Sequence, residues 1–215
     1  ASTPSQVEGS YAAGHASPAA AKIMAEKGIS ASVIAGSGND TITSGSGADT
    51  VVAGAGNNEI TTGSGSDSIS AGAGNDVINA GDGTNTVDAG AGNNTVATGT
   101  DADTITTGDG TNKVDAGAGN NTVTTGTGAD SITAGAGNDV ITLVATGAGA
   151  TGMVSQGGSG VDAIFASGIF GTSSIRGGAD DDTIRFVTDS TIVSSQLNGG
   201  QGTDLITNNS GDLLG

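Results

Sequence analysis

Aspartate and asparagine recur at a nine-residue spacing along half of this 215-residue chain. Carboxylate and amide oxygens are hard ligands that suit divalent cations, and both residues also form turns in which the side chain bonds to nearby backbone. The spacing therefore predicts either a row of cation sites or an Asn/Asp ladder without metal. The aspartates at these positions are Asp40, Asp49, Asp67, Asp76, Asp103, Asp130 and Asp139, and the asparagines are Asn58, Asn85, Asn94, Asn112 and Asn121.

The units that carry these side chains are twelve unbroken nonapeptides, which run from Gly36 to Leu143. Each unit has Gly first, Gly third except where Asp101 intrudes, Asp or Asn fifth, and Ile or Val seventh. The glycines allow a turn with positive φ that a Cβ would forbid, and the seventh residue is the inward-pointing centre of a three-residue strand. The repeat predicts an all-β fold, a parallel β-solenoid.

The number of units per turn has two solutions. One large apolar residue per unit makes a thin core, so two units per turn would bring facing Ile and Val rows together, whereas a three-sided coil would leave a void. We favour two sides. However, Asp49, Asp76, Asp103 and Asp130 recur every third unit. This longer period indicates either a three-unit gene duplication or three units per turn, and the sequence leaves both open.

Charge and composition restrict the partners. The chain has five Lys+Arg against 22 Asp+Glu, a net charge of -17, and no Cys. Nucleic acids and anionic membranes require basic residues, so neither is expected as a partner, and divalent cations are the natural counter-charge. The sequence has no apolar stretch long enough to predict a membrane span. It also lacks the charged region followed by an apolar run that would predict a signal peptide.

The unit resembles the G-G-x-G-x-D-x-U-x nonapeptide of RTX proteins, which form calcium-binding β-rolls. In the regular block Ala, Ser or Thr usually replaces the first glycine, but three later copies keep both: GGSGVDAIF from Gly157, GGADDDTIR from Gly177 and GGQGTDLIT from Gly199. Their spacings of 20 and 22 residues predict broader turns of the same solenoid. The resemblance implies that calcium lies in the turns between same-side neighbours, held by Asp side chains and turn carbonyls.

The calcium ligands that this resemblance implies are the aspartates of the repeats. With 18 residues per turn, only Asp49 and Asp67 of the regular block form a pair of two carboxylates, so partial calcium loading is expected. The consensus copies are the strongest individual candidates. The complete set is Asp40, Asp49, Asp67, Asp76, Asp103, Asp130, Asp139, Asp162, Asp182 and Asp204.

Catalysis has little support in the sequence. A general acid and base require two titratable groups in different environments, whereas a repeat gives each carboxylate nearly the same one. The only histidine, His15, lies in a stretch of small residues. We therefore expect a protein that is not an enzyme.

The amino-terminal segment is built differently. Ser17 is a good N-cap, Pro18 suits the first helical position and Gly28 would end a helix, so one short helix is predicted over residues 17–27. Ile23 and Met24 lie on its apolar stripe and are the candidate docking residues. Residues 16–38 resemble the peripheral subunit-binding domain of dihydrolipoamide acyltransferases, and a similar module occurs at the base of some phage head-fibre and decoration proteins. The alternative is a cap on the open end of the solenoid.

These features predict a docking or capping segment at residues 1–35, a regular solenoid at 36–143 and irregular turns at 144–215. The leading hypothesis is a rigid acidic spike, attached through residues 1–35 to a larger assembly such as a capsid, as a virion decoration or head fibre. The alternative is a secreted calcium-binding RTX-type adhesin or a fragment of a cell-surface layer. The expected location is accordingly the virion surface or the cell exterior. Homo-oligomerisation is left open.

Overall fold

The computed structural model describes residues 32–208, which form a parallel β-solenoid of about nine turns. Two sheets with ten and nine strands face each other, and every strand pair is parallel. The predicted all-β solenoid is confirmed. Within residues 32–208 there is no helix, and none long and apolar enough to span a membrane. The helix predicted over residues 17–27 lies outside the described residues.

Strands alternate between the two sheets along the chain. The ten-stranded sheet contains β1 (Ser32–Ile34), β3 (Thr50–Val52), β5 (Ser68–Ser70), β7 (Thr86–Asp88), β9 (Thr104–Thr106), β11 (Thr122–Thr124), β13 (Val140–Thr151), β15 (Ala163–Gly171), β17 (Thr183–Val193) and β19 (Leu205–Thr207). The nine-stranded sheet contains β2 (Thr41–Ser46), β4 (Glu59–Ser64), β6 (Val77–Asp82), β8 (Thr95–Thr98), β10 (Lys113–Asp115), β12 (Ser131–Ala136), β14 (Val154–Ser159), β16 (Ser174–Ala179) and β18 (Gln196–Gly200). Most strands of the nine-stranded sheet are longer than the predicted three residues, because pairing continues through the following glycine turn, as at Gly45 and Gly63.

Each regular strand pairs with the strand two positions further along the chain. Ile42 lies beside Ile60, and backbone groups of neighbouring turns bond across 18 residues. One turn therefore contains two nonapeptides, which confirms the two-sided solenoid. β1 begins at Ser32, ahead of Gly36, so the described solenoid starts before the first complete nonapeptide. Beyond Leu143 the turns lengthen to 23, 20 and 22 residues.

The core consists of two facing rows of seventh-position Ile and Val. Ile78 on β6 and Val87 on β7 are each 1% exposed and belong to one apolar cluster. The sequence predicted these rows but not a further buried position in the unit. Where the unit carries Ala in place of the consensus glycine, as at Ala80 and Ala89, the methyl group is also buried. In the long turns Phe170 and Phe186 add an edge-to-face aromatic pair with ring centroids 6.0 Å apart.

The turns require glycine for two separate reasons. Gly63 has φ of 123°, and a Cβ there would lie 2.0 Å from the carbonyl oxygen of Gly45 in the turn below. Stacking therefore forbids a side chain, as does the backbone conformation. Asp101 takes the third-position glycine's place and also has a positive φ, 79° against 107° to 143° at the third-position glycines of the regular block. Aspartate tolerates this left-handed region better than most residues, so the turn survives the substitution.

Candidate calcium sites along the two edges of the solenoid

The fifth-position side chains form hydrogen-bonded ladders along both edges of the solenoid. In each step, the backbone N–H of one fifth residue donates to the Oδ1 of the fifth residue one turn later. Asp40 donates in this way to Asn58 at 3.0 Å, and Asp49 to Asp67 at 2.8 Å. These positions are buried, so the bonds are shielded from water.

Every aspartate proposed from the sequence as a calcium ligand lies in one of these two ladders. The first edge runs through Asp40, Asn58, Asp76, Asn94, Asn112 and Asp130. The second edge runs through Asp49, Asp67, Asn85, Asp103, Asn121, Asp139, Asp162, Asp182 and Asp204. Residues stacked on one another are therefore two nonapeptides apart. The 27-residue period of the aspartates does not reflect stacking in space.

The second carboxylate oxygen of most ladder aspartates has no hydrogen-bond partner. Within the described chain this holds for the buried Oδ2 atoms of Asp40, Asp67, Asp76, Asp103, Asp130, Asp139, Asp162 and Asp182. Burying a carboxylate oxygen without a donor or cation is costly, so burial raises the pKa of Asp76, Asp103, Asp130, Asp139 and Asp182. In all of these except Asp40, whose Oδ1 also lacks a partner, the Oδ1 builds the ladder while the Oδ2 remains available to a cation.

The consensus glycines bring this free oxygen close to a turn carbonyl. A Cβ added to Gly157 would clash with both, at 2.3 Å from the Oδ2 of Asp162 and 2.4 Å from the carbonyl oxygen of Gly177. Gly177 has the same relation to the Oδ2 of Asp182 and the carbonyl oxygen of Gly199. Glycine therefore lets a carboxylate oxygen and a carbonyl oxygen pack together at this position, and both are ligand types that calcium uses.

The longest run of carboxylates spans the transition to the long turns. Asp139 donates to Asp162, Asp162 to Asp182, and Asp182 to Asp204, at 2.8, 2.8 and 3.0 Å. Burial, followed by the charges of Asp139 and Asp182, raises the pKa of Asp162 to about 7. The sequence identifies these residues as candidates but does not show their stacking, since the 18-residue spacing ends with the regular block. Extending the fifth-position column across the insertion would have found it.

The first edge loses its acidic ladder after Asp130. The residue stacked on Asp130 is Met153, because Val154 donates its N–H to the carbonyl of Asp130, as Glu59 does to Asp40. Ser173 takes this position in the next turn, and Met153 is fully buried. The long turns therefore carry a carboxylate ladder on the second edge alone.

A cation in these ladders would need backbone ligands as well as carboxylates. Among the described residues, no group of three or more His, Cys, Asp or Glu side chains is arranged to hold a metal. Turn carbonyls such as that of Gly177, which lies close to the free Oδ2 of Asp162, would supply the missing oxygens. The predicted docking residues Ile23 and Met24 lie outside the described residues, as does most of the segment that resembles the subunit-binding domain.

Comparison with known families gives one match. The model of the RTX calcium-binding nonapeptide repeat matches four copies, at residues 32–60, 61–96, 88–123 and 115–143. No curated protein and no solved structure matches the chain. The match covers more than half of the chain and agrees with its β-solenoid and with calcium as its cofactor. The chain therefore belongs to the RTX calcium-binding nonapeptide repeat family.

Proposed function

We propose that this chain is a calcium-stabilised, rigid and acidic rod of a secreted or cell-surface protein, with a structural rather than a catalytic role. The observation that carries the proposal is the stack of buried carboxylate oxygens without partners along the second edge, from Asp139 to Asp182. Calcium would supply the positive charge that these oxygens lack. Repeats of this family are typical of extracellular proteins, where calcium is abundant enough for weak sites.

The ligands proposed for calcium are the ladder aspartates together with turn carbonyls. Asp162 and Asp182 are the strongest candidates, because each has a free buried Oδ2, a carboxylate neighbour in the stack and a turn carbonyl close to that Oδ2 across a consensus glycine. Asp139 and Asp204 extend the carboxylate run on either side of this pair. Asp49 and Asp67 form an all-carboxylate step in the regular block, but Ser44 and Thr62 stand in place of the consensus glycine. The other ladder aspartates have Asn neighbours and would give weaker sites; they are Asp40, Asp76, Asp103 and Asp130.

The experiment is a titration of the full chain with calcium, monitored by thermal melting and calorimetry. Ligand binding to the folded state raises the melting temperature by mass action, so millimolar Ca²⁺ should raise it and EDTA should lower it. Magnesium is the control, since its strict octahedral geometry suits carbonyl-rich turns poorly. An identical melt in calcium and in EDTA, with no bound calcium by elemental analysis, would refute the proposal.

We further propose that residues 1–35 attach the rod to a larger assembly, and that this assembly is a cell-surface layer. The support is the apolar stripe with Ile23 and Met24 in the sequence, together with the family's extracellular character. Replacing both residues by Glu in the full chain should release the protein from its assembly and leave its circular dichroism unchanged. Thr86→Glu, an added charge on the outer face of β7, should release nothing. Attachment that survives the double substitution would place the docking surface elsewhere.

A further inference from the structure

Asparagine and aspartate in the ladders differ in what they offer to the turn. Asn85 donates its Nδ2 to the carbonyl oxygens of Gly81 at 3.1 Å and Gly83 at 2.8 Å. Asn94 and Asn112 make the same two bonds within their own turns. An asparagine thus uses Oδ1 for the ladder and Nδ2 for the turn carbonyls, and it leaves no atom unsatisfied.

Two asparagines also reach the neighbouring turn. Asn58 donates its Nδ2 to the carbonyl oxygen of Ala71 at 3.3 Å, and Asn121 makes the equivalent bond at 3.3 Å. In repeat register, the carbonyl of Ala71 corresponds to that of Gly177, which packs against Gly157 together with the free Oδ2 of Asp162. The amide donor of an Asn turn and the free oxygen of an Asp turn therefore face equivalent carbonyls.

The aspartate turns lack what the asparagine amide provides. An ionised carboxylate only accepts hydrogen bonds, so an Oδ2 near a carbonyl oxygen is one acceptor facing another. Asp162 and Asp182 are each 1% exposed, and water therefore cannot compensate. A cation would resolve this conflict for aspartate, whereas the amide hydrogens already do so for asparagine.

The two residue types are distributed unevenly along the rod. Between residues 85 and 121 the ladders carry Asn85, Asn94, Asn112 and Asn121, with Asp103 as the single carboxylate. From Asp139 onwards, the second edge contains only carboxylates. Apart from the Oδ2 of Asp103, the ladder side chains in the middle of the rod are therefore satisfied by their own hydrogen bonds, whereas the carboxyl-terminal turns carry a buried Oδ2 without a partner at Asp139, Asp162 and Asp182. The turns before residue 85 carry such oxygens as well, at Asp40, Asp67 and Asp76, but Asn58 separates Asp40 from Asp76 in the ladder.

We propose that the ladder asparagines are built-in substitutes for calcium, so that the middle turns are ordered without metal and calcium controls the order of the turns from Asp139 to Asp204. This inference rests on the proposed calcium-binding function and assigns its regulation to one end of the rod. The chain is thus a rod with a metal-independent middle and a calcium-responsive end.

The first test is hydrogen–deuterium exchange on the full chain, with and without calcium. Peptides from residues 85–121 should exchange slowly in EDTA and change little when calcium is added. Peptides from residues 139–204 should exchange faster in EDTA and gain protection with calcium. Equal gains of protection in the two regions would overturn the inference.

The second test exchanges the two residue types at matched positions. Asn94→Asp removes a buried amide donor, so it should lower the melting temperature in EDTA by several degrees, and calcium should restore it. Asn93→Asp is the control, because Asn93 is exposed and its Oδ1, which a carboxylate keeps, accepts the backbone N–H of Thr111 at 2.7 Å. Conversely, Asp182→Asn should reduce both bound calcium and the calcium-induced rise in melting temperature. Its control, Asp181→Asn, keeps an exposed acceptor for Thr203 and should change neither.

The outcomes separate this inference from the proposed function. If the unmodified chain binds calcium but Asn94→Asp behaves like Asn93→Asp, the inference that the asparagine amide takes the place of calcium is wrong. The calcium-binding function then stands. If the unmodified chain binds no calcium, both fail. If Asn94→Asp gains a calcium-dependent component of stability and Asp182→Asn loses one, both are supported.

Discussion

Asp139 donates its backbone N–H to the Oδ1 of Asp162 at 2.8 Å, across the point where the 18-residue turns give way to longer ones. The two residues are 23 positions apart, and Asp139 closes the last regular nonapeptide turn. This bond joins the regular block to the three consensus copies and makes one continuous carboxylate ladder. At this end of the solenoid, three consecutive ladder positions, Asp139, Asp162 and Asp182, therefore carry a buried Oδ2 without a donor.

The first prediction concerns pH in the absence of metal. Burial raises the pKa of Asp162 from 3.8 to about 7, so the folded state binds this proton more tightly than the unfolded state. The resulting stability is complete below about pH 4 and is lost as the pH rises through about 7. In EDTA, the melting temperature should therefore fall between pH 5 and pH 8.

Asp162→Asn is the matched variant for this pH dependence, since it keeps the ladder acceptor and removes the titrating group. It should flatten part of the fall, whereas Asp181→Asn, on the exposed side of the turn, should not. A melting temperature that rises from pH 5 to pH 8 in EDTA would contradict this account.

The second prediction tests the strand register. Ile78→Asp buries an unpaired charge between Ile60 and Val96 and should cost about 3–5 kcal/mol of unfolding free energy. Thr86→Asp, on the exposed face of β7, should change it by less than about 0.5 kcal/mol. Urea denaturation measures both. Similar losses for the two variants would mean that the inward face is wrongly assigned.

The third prediction concerns the close contact between glycine turns. Gly63→Ala should cost about 2–4 kcal/mol, because its Cβ would meet the carbonyl of Gly45 and its φ is positive. Gly152→Ala is the control: its φ is 80° but nothing lies within 4 Å of the added Cβ. It should cost only about 1 kcal/mol of backbone strain. Thermal melting that ranks the two variants equally would exclude the steric explanation.

The fourth prediction concerns Asp101, which holds a glycine conformation with φ of 79°. Asp101→Gly should stabilise the fold by about 0.5–1 kcal/mol, because glycine adopts positive φ without a steric penalty. Asp101→Ala removes the same charge but keeps a Cβ, so it should give no such gain. If both variants stabilise the protein equally, the cause is the lost charge rather than the backbone.

Much of the fold was predictable from the sequence because a nonapeptide is a local unit. Glycine at the first and third positions requires a turn, and Ile or Val at the seventh requires an inward-facing strand, as at Ile78. Repetition then leaves a solenoid as the way to bury the seventh residue of each nine-residue unit. The same pattern identified Asp162 and Asp182 as members of ladder turns, since they follow complete double glycines.

The tertiary structure alone decided which side chains stack on one another. The ladder bonds join residues 18 to 23 positions apart, so they depend on turn length and strand register rather than on local preference. The 27-residue spacing of Asp49 and Asp76 suggested another stacking, and only the packing of two facing apolar rows excluded it. The insertion after Leu143 likewise concealed that Asp162 follows Asp139, while Met153 replaces the acid above Asp130. The sequence thus determined the conformation of each turn and its candidate ligand atoms. The register between turns determined which of these atoms lie next to one another.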